Sequence, residues 1–221
     1  METTVNITSK TPILIGVVGL IGAGKDTIAD YLVNIHGFRR DSFAATLKDA
    51  VSAVFGWDRD QLEGRTRHSR EWREQLDPWW SERLDRDVTP RLMLQIWGTE
   101  VCRRGFHDDI WIASLENKLR STQDDVVISD CRFPNEIESI RRQGGQVIRV
   151  IRGQDPVWLM EARSHLRHQT PLPSRLPHAS EWAWAGTDFD RYLDNNGSLD
   201  QLYEQINDLL RDLRGAMADR S

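Results

Sequence analysis

A glycine-rich stretch near the start of the chain has the residue types and spacing of a phosphate-binding loop. Gly19 to Lys25 fits the pattern G-x-x-x-x-G-K, directly after an apolar run and directly before a helical pattern. Glycines let such a loop wrap closely, so that backbone N–H groups and the positive end of the helix dipole point at one anion. The alternative, a tight turn with an exposed lysine, is disfavoured by this strand–turn–helix context. We therefore predict that the loop binds nucleotide phosphates, with contacts from Gly19, Gly22, Ala23, Gly24 and Lys25.

The residue after the lysine departs from the usual pattern. Serine or threonine normally follows, because its hydroxyl helps to hold Mg²⁺. This chain has Asp26 and then Thr27. Asp26 either binds the metal, directly or through water, or leaves that role to Thr27. The substitution argues against a GTPase-type switch and favours kinases of small metabolites.

Charged residues follow two further apolar runs. Asp130 ends the first of these runs, where an acid can hold Mg²⁺ or its waters, cap the next helix, or do both. Arg132 can face the same phosphates, and Glu136 either caps that helix or pairs with an arginine. Arg152 ends the other run, and a positioned arginine is the usual stabiliser of the charge that develops in phosphoryl transfer.

A second set of polar residues lies in the middle of the chain. Arg91 and Gln95 are one helical turn apart, so both can contact one ligand, although exposed helix polars have the same pattern. For Lys48, near the start of another helical pattern, the same two alternatives stay open: a ligand contact or an exposed side chain. His165 and His168 have a spacing that metal ligands use, but no third candidate lies nearby. We expect these histidines to be surface residues.

Alternating strand and helix patterns must position these residues. The strand patterns lie at 13–18, 38–44, 126–130, 146–151 and 189–193, and the helical patterns at 27–36, 47–55, 91–103, 109–119, 133–142 and 198–213. Apolar strands separated by helices predict an α/β fold with a parallel, helix-covered sheet. In such sheets the ligand lies beyond the carboxyl ends of the strands, where the glycine-rich loop and Asp130 both fall.

The length of 221 residues predicts one domain, 1–221, with two additions. Residues 57–89 are charged and rich in tryptophan and arginine, which indicates an inserted helical subdomain. Residues 153–187, rich in proline, histidine and tryptophan, indicate a long mobile segment. Residues 1–12 are polar and predict a loose arm.

Composition excludes several classes of protein. The formal net charge of −5 argues against a nucleic-acid or membrane-surface binder. Only four of the 29 basic residues are lysines, an excess of arginine that codon bias mostly explains. No apolar run reaches the roughly 20 residues of a membrane span. Cys102 and Cys131 lack the spacing of a disulfide framework or a zinc site, so a reduced, cytoplasmic setting is expected.

Several segments, in order along the chain, resemble the bacteriophage deoxynucleoside monophosphate kinases. They are GKDT at 24–27, FAATLKDA at 43–50, RLMLQIWGTE at 91–100, DCRFPNE at 130–136, VIR at 150–152, HASE at 178–181 and NNGSL at 195–199. The matches run from about residue 13 to 210, and GKDT together with GTE is the most specific combination. The unusual Asp26 is thus a feature shared with that family.

This resemblance implies a P-loop NTPase three-layer fold with a parallel five-stranded sheet. It also implies a helical NMP-binding insertion at 57–89 and a lid at 153–187. The implied activity is transfer of the γ-phosphoryl group of ATP to a deoxynucleoside 5′-monophosphate with Mg²⁺, for phage DNA precursor synthesis. A homodimer working in the host cytoplasm is a further expectation.

The resemblance also implies a role for each motif residue. On the donor side, Lys25 and the loop amides hold ATP phosphates and Asn195 lies near the adenine. The implied metal residues are Asp26, Thr27 and Asp130, and the implied stabilisers of transferred charge are Arg132 and Arg152. On the acceptor side, the implied contacts are Lys48, Arg91, Gln95 and Arg103.

Two alternatives stay open. One is another small-acceptor kinase of the dephospho-coenzyme A or phosphomevalonate type, because similar loops and Asp-x-Arg motifs recur there. The other is a non-catalytic nucleotide-binding accessory protein that uses the 57–89 insertion as an interaction surface. A nucleic-acid motor lacks support, since the chain is acidic and shows no further motor motif.

Overall fold

The computed structural model describes residues 12–177 and 179–219. The predicted arm therefore lies outside the described residues except for Pro12, and so does His178. Five strands form one sheet: β1 (Leu14–Val18), β2 (Arg39–Asp41), β3 (Val126–Ile128), β4 (Gln146–Ile151) and β5 (Arg191–Asp194). Their order is β2-β3-β1-β4-β5, and all neighbours are parallel. The predicted parallel five-stranded α/β sheet is confirmed.

The helices account for most of the remaining chain. In chain order they are α1 (Lys25–His36), α2 (Ala45–Phe55), α3 (Arg59–Glu63), α4 (Arg67–Arg73), α5 (Pro78–Leu84), α6 (Pro90–Gln95), α7 (Ile110–Leu119), α8 (Pro134–Arg142), α9 (Val157–His168) and α10 (Leu199–Ala218). A π-helical segment, Ile96–Arg104, continues from α6, and short 3₁₀ turns lie at Ala179–Glu181 and Ala183–Gly186. Within the described residues, none of these helices has both the length and the apolar character needed to cross a membrane.

The sheet and the helices on it form one compact unit, made of the described residues up to Asp41 and from Ser121 onward. Ile15 and Val17 of β1 share a core with α1 and α10. Successive residues of a strand face opposite sides, so Gly16 faces the other layer. A Cβ atom there would come within 2.5 Å of Ile140 Cδ1 on α8. Helices thus cover both faces, which makes three layers.

Residues 42–120 form a second compact unit of helices α2 to α7. The predicted helical insertion, 57–89, contains α3, α4 and α5 and is a part of this wider unit. The core is aromatic: Phe55 stacks on Trp57 with ring centroids 4.4 Å apart, and Trp80 and Trp97 lie edge-on to Phe55. Trp57 is buried in this core, and four further tryptophans pack against it partly buried: Trp72, Trp80, Trp97 and Trp111.

The segment 153–187 has more regular structure than its composition predicted. It holds α9 and both 3₁₀ turns, with Leu159, Ala162 and Trp184 buried. The Trp184 ring centroid lies 5.1 Å from the guanidinium carbon of Arg149. Apolar side chains thus pack this part of the segment against the rest of the sheet unit, and its mobility stays a prediction. Its role as a lid stays a prediction.

Element bounds differ from prediction where local backbone geometry decides them. Helix α1 begins at Lys25 rather than at Thr27, because Gly24 adopts a left-handed φ of 106° and starts the helix early. The strand predicted at 38–44 is limited to Arg39–Asp41, since α2 already begins at Ala45.

Candidate active site

The glycine-rich loop joins β1 to α1 and leaves the start of the helix open. Gly22 and Gly24 have left-handed φ angles of 78° and 106°, which favour glycine, and the Ala23 N–H donates to the Leu20 carbonyl at 3.1 Å. No side chain of the described residues caps α1. The first N–H groups of the helix are therefore available to an anion.

Neighbouring strand ends hold this loop in place. At Gly19 a Cβ atom would lie 2.7 Å from the Val150 carbonyl oxygen of β4, so only glycine fits without a shift. Asn195, directly after β5, donates from Nδ2 to the Ala23 carbonyl at 2.8 Å and from its backbone N–H to the Ile151 carbonyl. Asn195 therefore ties the loop to the sheet, and its predicted position near an adenine stays a prediction.

Lys25 is folded back over the loop. Its Nζ donates to the carbonyl oxygens of Gly19 and Leu20 at 2.8 and 2.9 Å. Burial lowers the pKa of Lys25 and the charge of Arg132 lowers it further, although Asp26 and Glu181 act in the opposite direction. An anionic phosphate at the loop would favour the charged amine and offset this burial cost.

The loop after β3 brings an acid and an arginine to the same edge of the sheet. Asp130 is half-buried and lies beside the end of β3, the strand that pairs with β1. Helix α8 begins at Pro134 with Phe133 at its N-cap position, three residues beyond Asp130. Glu136 is buried, and its Oε2 accepts from the backbone N–H groups of Arg132 and Phe133 at 2.8 and 3.1 Å. Glu136 thus fixes the turn that carries Arg132.

Two arginines at this edge differ in their surroundings. Arg132 is half exposed and its Nη1 lies 3.6 Å from Glu181 Oε1, on the first 3₁₀ turn. Arg152, directly after β4, is exposed and makes no ion pair or side-chain hydrogen bond with any residue in 12–177 or 179–219. The parallel strands β1, β3, β4 and β5 end at the same edge of the sheet, which therefore holds Lys25, Asp130, Arg132, Arg152 and Asn195. The rule for parallel sheets predicted this place for the glycine-rich loop and Asp130.

Sequence reasoning missed Arg40, at the centre of β2. Its Nη2 contacts the Asp26 carboxylate and donates to Ser129 Oγ at 2.8 Å, while its Nη1 donates to Asp30 Oδ1 at 2.9 Å. No motif marks this residue, because a sheet neighbour rather than sequence spacing brings it to α1.

The metal candidates are oxygen donors. Asp26 is exposed, and Thr27 and Asp130 are half-buried. Over the described part of the chain, no three His, Cys, Asp or Glu side chains gather into a metal cluster. Carboxylate and hydroxyl oxygens are the ligand types that Mg²⁺ prefers.

In the unit 42–120, the predicted acceptor residues are mostly paired with acids. Lys48 Nζ lies 2.6 Å from Glu63 Oε2, Arg91 Nε lies 3.3 Å from Glu74 Oε1 and Arg103 Nε lies 3.4 Å from Asp108 Oδ1. Gln95 is exposed at the end of α6, the helix that also carries Arg91.

The same unit contributes cations that the sequence did not single out. Burial lowers the pKa of Arg73, as does the charge of nearby Arg91, while Glu74 and Glu63 act against this. Arg59 Nη1 lies 3.5 Å from Glu63 Oε1. The only sequence signal was the cluster of arginines between 59 and 73.

Three polar side chains of helix α9 contact nearby backbone carbonyl oxygens. Arg163 and Arg167 donate to the carbonyls of Ala185 and Gly186 at 3.3 and 3.2 Å. His165 Nδ1 lies 2.5 Å from the Thr170 carbonyl oxygen. All of these contacts are with backbone carbonyl oxygens of residues 170–186.

The chain is similar to proteins of one family. The model of a family described as deoxynucleotide monophosphate kinase matches residues 80–206. A protein of Acanthamoeba polyphaga mimivirus, provisionally named a deoxynucleotide monophosphate kinase, is 31% identical over 208 residues, which are 88% of this chain and 94% of that protein. The deoxynucleoside-5′-monophosphate kinase of Escherichia phage T5 is 28% identical over 179 residues, 58% of this chain and 72% of that protein.

Solved structures are more distant in sequence. TT1252 from Thermus thermophilus has a TM-score of 0.45 at 18% identity, covering 92% of this chain and 99% of its own. Shikimate kinase from Aquifex aeolicus has a TM-score of 0.44 at 11% identity, covering 92% of this chain and 98% of its own.

Proposed function

The chain belongs to the deoxynucleotide monophosphate kinase family, and from this premise we propose that it transfers the γ-phosphoryl group of ATP to a deoxynucleoside 5′-monophosphate. The products are ADP and a deoxynucleoside diphosphate, a DNA precursor of use to a replicating phage. The observation that carries this proposal is the open anion site at the start of α1, with Lys25 over it and Arg132 and Arg152 at the same sheet edge.

On the donor side, the loop amides and Lys25 bind the β- and γ-phosphates of ATP. The Lys25 amine donates to two neutral carbonyls rather than to an acid, so a phosphate does not have to displace a carboxylate to reach it. Arg132 and Arg152 stabilise the charge on the transferred group, and both have exposed guanidinium groups that can move toward it. Asn195 keeps the loop in position and contributes to the ATP site.

We propose Mg²⁺ as the metal, held by Thr27 and Asp130 with Asp26 nearby. Hard oxygen donors and the lack of a three-residue metal cluster in the described chain fit a cation bound mainly through phosphates and water. When bound, the ion neutralises charge on the β- and γ-phosphates.

On the acceptor side, we propose that the unit 42–120 binds the monophosphate through Lys48, Arg91, Gln95 and Arg103. We add Arg73 to this set, because the charge of Arg91 acts on its guanidinium and both arginines lie in the same unit. The acids now paired with these cations must yield to the acceptor phosphate. No general base is required, because that phosphate is already an anion and positioning supplies most of the rate.

We further propose that the partners are nucleotides rather than nucleic acid or membrane, given the net charge of −5. Both cysteines are free thiols, which supports a reducing, cytoplasmic setting. The homodimer stays a prediction.

An acceptor panel tests the proposal. The protein is incubated with ATP, Mg²⁺ and, in separate reactions, each of the four common deoxynucleoside monophosphates, dephospho-coenzyme A or phosphomevalonate, and products are separated by chromatography. We expect a deoxynucleoside diphosphate from at least one reaction. Turnover only with the other acceptors would favour the related kinases, and ATP binding without any acceptor-dependent turnover would favour the accessory protein.

A further inference from the structure

The geometry assigns Arg40 as a positioning residue for the phosphate-binding loop. We propose that it holds the Asp26 carboxylate and that its charge sets how strongly the loop takes up a divalent cation with ATP. This inference rests on the proposed ATP site and adds a residue that no motif marks.

Arg40 is fixed by the sheet rather than by the loop. Its Cα is paired with Val127 of β3, and Ser129, just beyond that strand, accepts from Arg40 Nη2 at 2.8 Å. The Arg40 side chain is only 18% exposed, whereas the Asp26 side chain is 81% exposed. The rigid partner is therefore the arginine, and the exposed acid at the loop is the group being held.

One guanidinium serves two acids on the first turns of α1. Nη2 contacts Asp26 and Nη1 donates to Asp30 at 2.9 Å. Fork-shaped donors of this kind fix carboxylates in direction as well as in charge. Asp26 follows Lys25, so Arg40 puts a second fixed cation beside the proposed metal and phosphate site.

The sign of the effect follows from charge. Without Arg40, Asp26 and Asp30 keep their negative charges, so a divalent cation should bind more tightly and a metal-free nucleotide more weakly. Loss of one charge at this range changes each affinity about three- to tenfold. A purely structural role predicts no such opposite changes.

The chain offers a matched control in Arg39. It precedes Arg40 on β2, and adjacent strand residues face opposite sides of the sheet. Arg39 lies near Asp41 and Asp124, at 3.6 and 4.0 Å. Arg39→Gln therefore removes the same charge from the same strand while sparing the contacts with Asp26 and Asp30.

The experiment measures binding instead of turnover. Mn²⁺ affinity is determined by electron paramagnetic resonance with a saturating non-hydrolysable ATP analogue, and analogue affinity by calorimetry in EDTA. We expect Arg40→Gln to tighten Mn²⁺ and weaken the metal-free analogue, each about three- to tenfold. Arg39→Gln should leave both within about twofold, and Arg40→Lys, which keeps the charge, should stay closer to wild type than Arg40→Gln.

Several outcomes would overturn the inference. They are unchanged or weaker Mn²⁺ binding in a folded Arg40→Gln variant, equal effects of Arg39→Gln, or an Arg40→Lys variant no nearer to wild type. If Arg40→Gln fails to fold, Arg40→Lys and Asp26→Asn supply the test, and Asp26→Asn should weaken Mn²⁺. If no acceptor in the panel is phosphorylated but the Arg40 and Arg39 variants bind Mn²⁺ and the analogue as expected, only the kinase proposal is overturned. If the wild-type protein does not bind the ATP analogue, both the kinase proposal and the role of Arg40 are overturned.

Discussion

Each of the two compact units has a lysine that we propose binds a phosphate, and the two lysines differ in their hydrogen-bond partners. Lys25, in the sheet unit, donates to two backbone carbonyls, of Gly19 and Leu20. Lys48, in the unit 42–120, lies 2.6 Å from the carboxylate of Glu63. The hydrogen-bond acceptors of the first amine are neutral, whereas the second amine is already paired with an acid.

This difference matters for how each proposed substrate binds. A phosphate that approaches Lys25 replaces neutral dipoles and gains a charge-assisted hydrogen bond. A phosphate that approaches Lys48 must displace Glu63, so part of the gain is lost. We therefore expect the glycine-rich loop to bind its phosphate more strongly than the proposed acceptor residues bind theirs.

The largest effect is expected from removing the amine of Lys25. Lys25→Ala should lower phosphoryl transfer about 1000-fold or more, because it removes the charge that we propose acts on the transferred group. Circular dichroism and thermal unfolding should show a folded protein, since Lys25 is not part of the buried core. Retained turnover in a folded variant would show that the loop is not the active site.

Arg152→Ala is expected to have the next largest effect. Arg152 has no charged partner among residues 12–177 and 179–219, so its charge is free to act on the transition state. The kcat should fall about 100-fold, with the affinity for an ATP analogue within about threefold of wild type. Steady-state kinetics and calorimetry check this, and an unchanged kcat would remove Arg152 from the catalytic set.

Lys48→Met should affect the acceptor alone. We expect the KM for the monophosphate to rise about tenfold, because one charge-assisted contact is lost, with the KM for ATP unchanged. The control is Lys118→Met, a change of another lysine in the same unit that has no proposed ligand role. A rise in the KM for ATP would contradict the separation of roles.

Glu63→Gln is the converse change and should have the smallest effect. It frees Lys48, so the KM for the monophosphate should fall about two- to fivefold. Removing the pair should also lower the free energy of unfolding at pH 7 by about 1 kcal/mol. An unchanged or higher KM would show that Glu63 does not compete with the acceptor.

The stability difference between wild type and Glu63→Gln should depend on pH. Burial raises the pKa of Glu63, but the hydrogen bond and charge of Lys48, with the charge of Arg59, outweigh it and lower the pKa below its ordinary value of 4.5. The pair therefore adds stability above about pH 4.5 and loses it as the pH falls through the folded value. Urea unfolding at pH 7 and below pH 4.5 measures this, and a difference that grew in acid would contradict it.

The phosphate loop could be predicted from sequence because its geometry is local. Gly19, Gly24 and Lys25 lie within one turn, and the apolar runs around them fix the strand and the helix. Asp130 followed from the rule that ligands lie at the carboxyl ends of parallel strands, and β3, which precedes it, is parallel to β1. Arg152 followed from its place at the end of an apolar run.

Contacts between distant segments could not be predicted in this way. Arg40 reaches Asp26 only because β2 lies beside β3, and its neighbour Arg39 has the same chemistry. The ion pair of Lys48 with Glu63 depends on the packing of α2 with α3 around an aromatic core. The composition of 153–187 likewise did not reveal that Leu159 and Trp184 are buried, because burial there is a tertiary effect.

The most direct test of this account measures the two substrates separately. Calorimetry gives the affinities of a non-hydrolysable ATP analogue with Mg²⁺ and of a deoxynucleoside monophosphate, each alone, for wild type, Lys25→Ala and Lys48→Met. The account predicts that Lys25→Ala loses the analogue and keeps the monophosphate, and that Lys48→Met does the reverse. Loss of the monophosphate in Lys25→Ala with no change in Lys48→Met would contradict it.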